Sequence, residues 1–129
     1  FDRSPEGLQV VRRKVSSPAE EKRLVVKDLR DLLQNQGVLP GEIVLLSNAS
    51  RAESCLQGID PVAGVPLVSM SDRYDSRKKS IQHTTIRMFR GLEAPVVFIV
   101  DLSHADPERL AQALYTSASR AQTLLYIYE

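Results

Sequence analysis

The sequence has only one cysteine and almost no net charge. The first excludes a disulfide within the chain, and the second excludes a strongly basic nucleic-acid-binding domain. Cys55 cannot form a disulfide within the chain, so we expect a reducing, cytoplasmic setting. It has no catalytic partner nearby in sequence, which favours a packing thiol over a reactive one. The 17 basic and 16 acidic residues leave a charge of +1. A nucleic-acid partner would therefore be held through few phosphate contacts or with the help of another domain.

Long apolar runs are also missing. No stretch approaches the length that crosses a bilayer, and the N-terminus has no signal-peptide pattern, so no membrane partner is expected. The 129 residues, 43% of them hydrophobic, predict a single domain over 1–129 with its own core. The opening FDRSPEG is untypical of a natural start, so we expect a piece of a longer protein.

Several catalytic signatures are absent from the sequence. None of the six glycines begins a phosphate loop, so the chain alone is not expected to hydrolyse ATP by that route. Asp101 follows an apolar strand, as the magnesium-binding acid of nucleotide hydrolases does. Because the sequence has no phosphate loop, we interpret Asp101 as an ordinary acid at the end of a strand. His83 and His104 have no partners at metal-ligand spacing, so no metal site is predicted. No Gly-x-Ser-x-Gly elbow supports a hydrolase triad.

The clearest local element is a helix near the N-terminus. Ser17 is a good N-cap, Pro18 suits the first helical position, and Glu20 completes a capping box. Gly37 is expected to end the helix. Its predicted core-facing stripe consists of Val25, Leu29, Leu32 and Leu33.

Apolar strands alternate with helices along the rest of the chain. Strands are predicted at 8–15, 42–46, 67–69, 81–88, 96–100 and 123–128, a short helix at 49–57, and a last helix from Asp106. This alternation predicts an α/β fold with a mostly parallel sheet and helices on both faces. Region 58–80 is predicted to be short and irregular. It ends in a polar loop, 71–80, in which Arg77, Lys78 and Lys79 either are solvated or contact phosphates.

Ligands of open parallel sheets bind beyond the carboxyl ends of the strands. Three such places were therefore of interest: Ser47 and Asn48, the segment 87–93, and Asp101. Two segments carry more specific patterns. One is TIRMFRGLE at 85–93, followed by the strand APVVFIV, and the other is LYTSASRA at 114–121, followed by QTLLYIY.

These segments resemble motifs V and VI of superfamily-one helicases of the UvrD/Rep type. That family has roughly T-[IV]-H-x-x-K-G-L-E before an apolar strand, and Y-V-A-[LM]-T-R-A before an L-Y-[VIL] strand. Residues 20–46 also resemble the family's helix, turn and strand. The resemblance implies a second RecA-like lobe that lacks the phosphate loop and closes over ATP and Mg²⁺ held by an N-terminal RecA-like lobe. Region 58–80 stands where members carry an inserted subdomain.

The resemblance also implies roles for individual residues at the nucleotide. Arg120 matches the motif VI arginine that reaches the γ-phosphate, and it is the predicted catalytic residue. Glu93 matches the glutamate that contacts the nucleotide near its ribose, and Gly91 lets the backbone come close. Ser119 stands where the family has threonine.

Nucleic acid, single-stranded or duplex, is the second implied partner. Thr85 and Arg87 match positions near the nucleic-acid backbone, and Arg90 adds charge beside them. Arg87 replaces the family's histidine and Arg90 its lysine, so both keep or add positive charge. In a bacterium the protein would be associated with the nucleoid.

The resemblance thus implies the C-terminal motor lobe of an ATP-dependent DNA or RNA helicase or translocase. The sequence leaves two alternatives to this function. One is a helicase-like lobe without catalytic activity that acts as a regulatory or protein-interaction module. The other is an unrelated α/β domain that binds a small anion at its strand ends.

Overall fold

A seven-stranded sheet forms the centre of the molecule. The computed structural model describes residues 2–3, 9–48, 54–59, 61–70, 74–86, 88–89, 92–102, 108, 111 and 120–129. The strands are β1 (Asp2–Arg3), β2 (Gln9–Arg13), β3 (Ile43–Ser47), β4 (Leu67–Ser69), β5 (Ile81–Thr85), β6 (Ala94–Val100) and β7 (Ala121–Tyr128). The helix α1 spans Pro18–Gln34, and a short 3₁₀ helix spans Pro40–Glu42.

The strand order is β1-β2-β7-β6-β3-β5-β4, and every neighbouring pair is parallel except β1 with β2. The predicted α/β fold of the RecA-like kind is therefore confirmed. The central strands β3 and β6 are buried almost throughout, which explains their nearly unbroken apolar sequences.

Two apolar clusters lie on opposite faces of the sheet. Alternate residues of each strand point to opposite faces, so Leu45 and Phe98 pack in one cluster while Val44 and Val97 pack in the other. Helix α1 covers the first face, to which it contributes Val25, Leu29 and Leu32. The last helix, expected from Asp106, lies outside the described residues, except that Glu108 and Ala111 are helical.

Local signals around α1 act largely as predicted. Ser17 caps the helix, since its hydroxyl accepts from the Glu20 N–H at 3.1 Å. The Glu20 carboxylate accepts from the backbone N–H of Ser16 rather than of Ser17, so the capping box closes one residue earlier than predicted. Gly37 has φ +70, which suits glycine at the end of a helix, and the last helical residue precedes it by three positions.

Two predicted elements differ from the structure. Residues 54–58 form turns, so the short helix predicted at 49–57 is wrong over that part, while 49–53 lie outside the described residues. The strand predicted at 81–88 ends at Thr85 because the chain turns there, with the N–H of Phe89 donating to the carbonyls of Thr85 and Ile86. Apolar composition continued past the turn because Phe89 is buried in the second cluster.

Candidate functional site

Glu93 and Arg120 lie side by side at the amino edge of the sheet. Glu93 directly precedes β6 and Arg120 directly precedes β7, and the two strands are parallel neighbours. The N–H of Ala94 donates to the carbonyl of Arg120 at 3.0 Å, which joins the two segments. Two residues that are 27 positions apart in sequence are thereby brought to one place.

Thr85 lies at the opposite, carboxyl edge. It ends β5 in register with Ser47 of β3, which is itself in register with Val100 at the end of β6. Because β6 is seven residues long and a strand rises about 3.3 Å per residue, the two edges are about 20 Å apart. Glu93 was expected at a carboxyl end and that placement is wrong, because the chain returns along the sheet between β5 and β6.

Three predicted site residues cannot be placed. Arg87, Arg90 and Gly91 lie outside the described residues. The roles predicted for them therefore stay predictions, as do the nucleotide and nucleic-acid roles of Thr85, Glu93 and Arg120.

The Arg120 side chain is partly buried, and its Nε has no hydrogen-bond partner within the described part of the chain. A buried N–H without a partner costs about 1–3 kcal/mol, and such a group calls for an explanation in a folded protein. An oxygen acceptor brought to this edge by a ligand would satisfy it. The guanidinium is permanently charged and its forked donors match phosphate oxygens.

A cavity of about 750 Å³ opens beside Glu93 at the amino edge. Its size is within the range of small-molecule sites. The walls are formed by the loop before β5 and by the starts of β6 and β7: Tyr74, Asp75, Ser76, Arg77, Glu93, Pro95 and Gln122. Part of the predicted exposed loop 71–80 is thus a wall of this cavity.

The charges of the cavity favour uncharged ligand groups over phosphate. Arg77 is paired with Asp75, whose carboxylate accepts from both the Nε (3.2 Å) and the backbone N–H of Arg77 (2.9 Å). These hydrogen bonds lower the pKa of Asp75. With Arg77 balanced by Asp75, Glu93 leaves the lining with one net negative charge. Gln122 Nε2 donates to the Glu93 carboxylate at 3.3 Å and so orients it toward the cavity.

A smaller cavity of about 150 Å³ lies at the carboxyl edge, near Thr85. Hydroxyl groups and one imidazole dominate its lining: Ser47, Ser54, Leu56, Ser69, His83, Thr84 and Thr85. The sequence suggested a structural role for His83, and the residue is indeed buried.

Asp101 is the buried centre of a hydrogen-bond network next to this cavity. Its carboxylate accepts from the hydroxyls of Ser47 and Ser54 and from the backbone N–H of Cys55. Its own N–H donates to the Glu21 carboxylate at 2.8 Å. These bonds join β3, β6, α1 and the segment at 54–59. Asp101 is therefore built into the fold, in line with the predicted strand-end acid.

The same network bears on metal binding. Potential ligand atoms of Glu21, Cys55 and Asp101 lie within 4.8 Å of one another. Burial, followed by the nearby charges of Asp101 and Glu21, raises the pKa of the Cys55 thiol and keeps it protonated. A protonated thiol is a poor ligand, and the Asp101 oxygens already accept hydrogen bonds from protein groups. The cluster is arranged as a hydrogen-bond network.

Sequence reasoning overlooked two buried acids on α1. Glu21 and Asp28 share the helix face of Val25, Leu29 and Leu32, and both are buried. Their positions at i−4 and i+3 from Val25 were the available signal, because residues at those spacings share a face. Gln122 was also overlooked, and only the pairing of β6 with β7 brings it near Glu93.

A comparison with known protein families finds a match for the segment that contains Thr85, Glu93 and Arg120. Residues 81–128 match the family described as the UvrD-like helicase C-terminal domain. This part of the chain is similar to that family. The UvrD-like segment contains β5, β6 and β7 together with Thr85, Glu93 and Arg120, so the predicted resemblance is confirmed. No curated protein matches the chain. Within the described residues, no helix is long and apolar enough to cross a membrane.

Proposed function

We propose that this chain is the second motor lobe of an ATP-dependent nucleic-acid helicase or translocase. In this role it supplies Arg120 and Glu93 to ATP and Mg²⁺ bound by an N-terminal RecA-like lobe. The observation that carries the proposal is the meeting of Glu93 and Arg120 at one edge of the UvrD-like segment. The unpartnered Nε of Arg120, within the described residues, supports it.

The proposed chemistry depends on closure of the two lobes. Magnesium and the phosphate loop of the other lobe would hold the phosphates, and this lobe would present Arg120 to the γ-phosphate as the lobes close. A fixed cation there stabilises the charge that develops on the transferred phosphoryl group. Glu93 would accept from a sugar hydroxyl, which agrees with the negative charge of its cavity. Hydrolysis would thereby be coupled to movement.

Nucleic acid would bind at the other edge, where Thr85 lies. Separation of the two sites by about 20 Å, the length of β6, lets one rigid sheet respond to both ligands. Arg87 and Arg90 are proposed to add phosphate contacts near Thr85, because they follow it directly in sequence.

The decisive experiment measures ATP turnover in a protein that joins this lobe to its phosphate-loop lobe. Arg120→Ala should lower kcat on the order of 10³-fold, the size expected for a supplied arginine, while a fluorescent ATP analogue still binds. Arg12→Ala is the matched control, since Arg12 is an exposed arginine paired with Glu129. Unchanged turnover in Arg120→Ala would remove the catalytic role. Capture of a protein partner by such an inactive lobe would favour the regulatory module instead.

A further inference from the structure

The outer face of helix α1 carries a concentrated positive charge. Six of its residues line a shallow groove of about 500 Å³: Ala19, Lys22, Arg23, Val26, Lys27 and Arg30. They recur at three- and four-residue intervals, which places them on one side of the helix. Four of the six are cations, in a chain whose net charge is only +1.

Two acidic residues of α1 do not balance this face because they are engaged in the interior. Glu21 accepts from the N–H of Asp101 in the interior. Asp28 is buried against Arg13 and Tyr128. Asp31, four residues after Lys27, borders the face and accepts from the Asn35 amide at 2.9 Å.

Glu20 is the second acid that borders the basic face. Glu20 comes within 3.9 Å of Arg23, while it also accepts two hydrogen bonds from Ser16. An exposed pair at that distance contributes little. The fold thus buries two of the four acids of α1 and leaves four cations along its outer groove.

The basic face begins at the edge of the sheet where Thr85 lies. Glu21, in the first turn of α1, bonds to Asp101 directly after β6, so the start of the helix lies at the carboxyl edge. Lys22 Nζ lies beside Gly58 of the neighbouring segment, 3.3 Å from where a Cβ would stand. The face then extends from Lys22 to Arg30, about 12 Å at 1.5 Å per residue.

We propose that this outer face of α1 binds the phosphodiester backbone of a nucleic-acid strand that passes Thr85. The inference rests on the proposed function for the identity of the strand. With the spacing of a strand in duplex DNA, one phosphate per 3.4 Å, about three or four phosphates would lie along the face. Such a small number of contacts agrees with the nearly neutral chain. The contacts would position the strand without reading its sequence.

The test compares two double variants that remove equal charge. Lys27→Gln with Arg30→Gln neutralises the proposed face. Arg12→Gln with Lys14→Gln neutralises two other exposed cations, and Arg12 stands at a strand position of the sheet face opposite α1, in register with Ile127. Each variant is made in the protein that joins this lobe to its phosphate-loop lobe. Binding of a fluorescent single-stranded oligonucleotide is measured without nucleotide at several salt concentrations.

The expected result is a change in salt dependence as well as in affinity. Each lost phosphate contact should reduce the slope of log K against log salt by about 0.7, so the Lys27/Arg30 variant should lose about 1.4 relative to the control. Affinity at low salt should fall on the order of tenfold. ATP turnover in the absence of nucleic acid should be unchanged, and matching urea unfolding curves would show that the variant is folded.

Other outcomes overturn the inference. Equal slopes in the two double variants would show that the face makes no phosphate contacts. Poly-glutamate is titrated in parallel, and if the Lys27/Arg30 variant weakens the binding of poly-glutamate but not of the oligonucleotide, the face would be assigned to an acidic protein. A failure of the proposed function can be told apart from a failure of this inference. An active Arg120→Ala enzyme together with the predicted slope change would leave the nucleic-acid face intact and remove only the arginine's role.

Discussion

Asp101 stabilises the carboxyl edge of the sheet in a backbone conformation that few residues adopt. Its φ of +64 lies in the left-handed region, which aspartate tolerates better than most side chains. The position ends β6 and turns the carboxylate toward donors from β3 and from the segment at 54–59. A single acid therefore satisfies several buried donors, of which the Ser47 and Ser54 hydroxyls belong to residues that line the carboxyl-edge cavity.

Cys55, beside Asp101, gives the chain a predictable response to alkaline pH. Burial, followed by the charges of Asp101 and Glu21, raises the thiol pKa above its ordinary 9.0, so the unfolded thiol ionises first. The stability from the protonated thiol is complete below pH 9.0 and is lost as pH rises above it. Urea unfolding from pH 7 to 10 should show a total decline of about 1.4 kcal/mol, nearly all of it close to and above pH 9.0, that Cys55→Ala lacks. Parallel curves for the two proteins would contradict this cause.

Gln122 is expected to act on the nucleotide through Glu93. Gln122→Ala should raise the KM for ATP several-fold with little change in kcat, because the hydrogen bond orients a binding carboxylate rather than a reacting group. In a Glu93→Ala background the same change should have no further effect. Thr123→Ala, at the exposed neighbouring position, is the control. A Gln122 effect that persists without Glu93 would disprove the link.

At the scale of elements, Asp28 joins α1 to two neighbouring strands of the sheet, β2 and β7. Its carboxylate accepts from Arg13 of β2 through two nitrogens and from the Tyr128 hydroxyl of β7 at 2.6 Å. The helix is thus held on its face of the sheet by a polar contact as well as by its apolar stripe. The hydroxyl bond raises the pKa of Tyr128, although burial is the larger cause.

The contact between α1 and β7 can be measured with a double-mutant cycle. Tyr128→Phe should lower the free energy of unfolding by about 2 kcal/mol, because hydrogen bonds to charged groups contribute about 1.5–3 kcal/mol. Asp28→Asn should also destabilise the chain. The double variant should lose less stability than the sum of the losses in the two single variants. Strict additivity in urea unfolding would show that the two groups do not interact.

At the scale of the whole molecule, the proposed nucleotide edge and the proposed nucleic-acid edge are separated by the length of β6. Thr85→Ala is expected to weaken nucleic-acid binding without affecting ATP binding, and Glu93→Ala the reverse, since sites about 20 Å apart without shared partners behave independently. In the double variant the loss of binding of each ligand should equal the loss in the corresponding single variant. Fluorescence titrations with each ligand alone in the two-lobe protein would detect any departure from this equality.

Much of the fold could be predicted because it depends on local periodicity. The apolar residues at 96–100 predict a buried strand in any context, and Ser17 with Pro18 predicts a helix start from neighbouring positions alone. The candidate site was less predictable. Glu93 was assigned to the wrong edge because sequence does not show where a connection turns back, and Gln122 was overlooked because strand pairing brings it near Glu93.

The sequence by itself determined the alternation of strands and helix, the character of the core, and the two motifs that resemble the UvrD-like helicase family. These are properties of side-chain order, which sets local conformation and burial. Only the tertiary structure decided that Glu93 meets Arg120 at the amino edge, that Thr85 lies at the other, and that Glu21 and Asp28 are buried away from the basic outer face of α1. Those facts depend on strand order and register, which distant parts of the chain fix together.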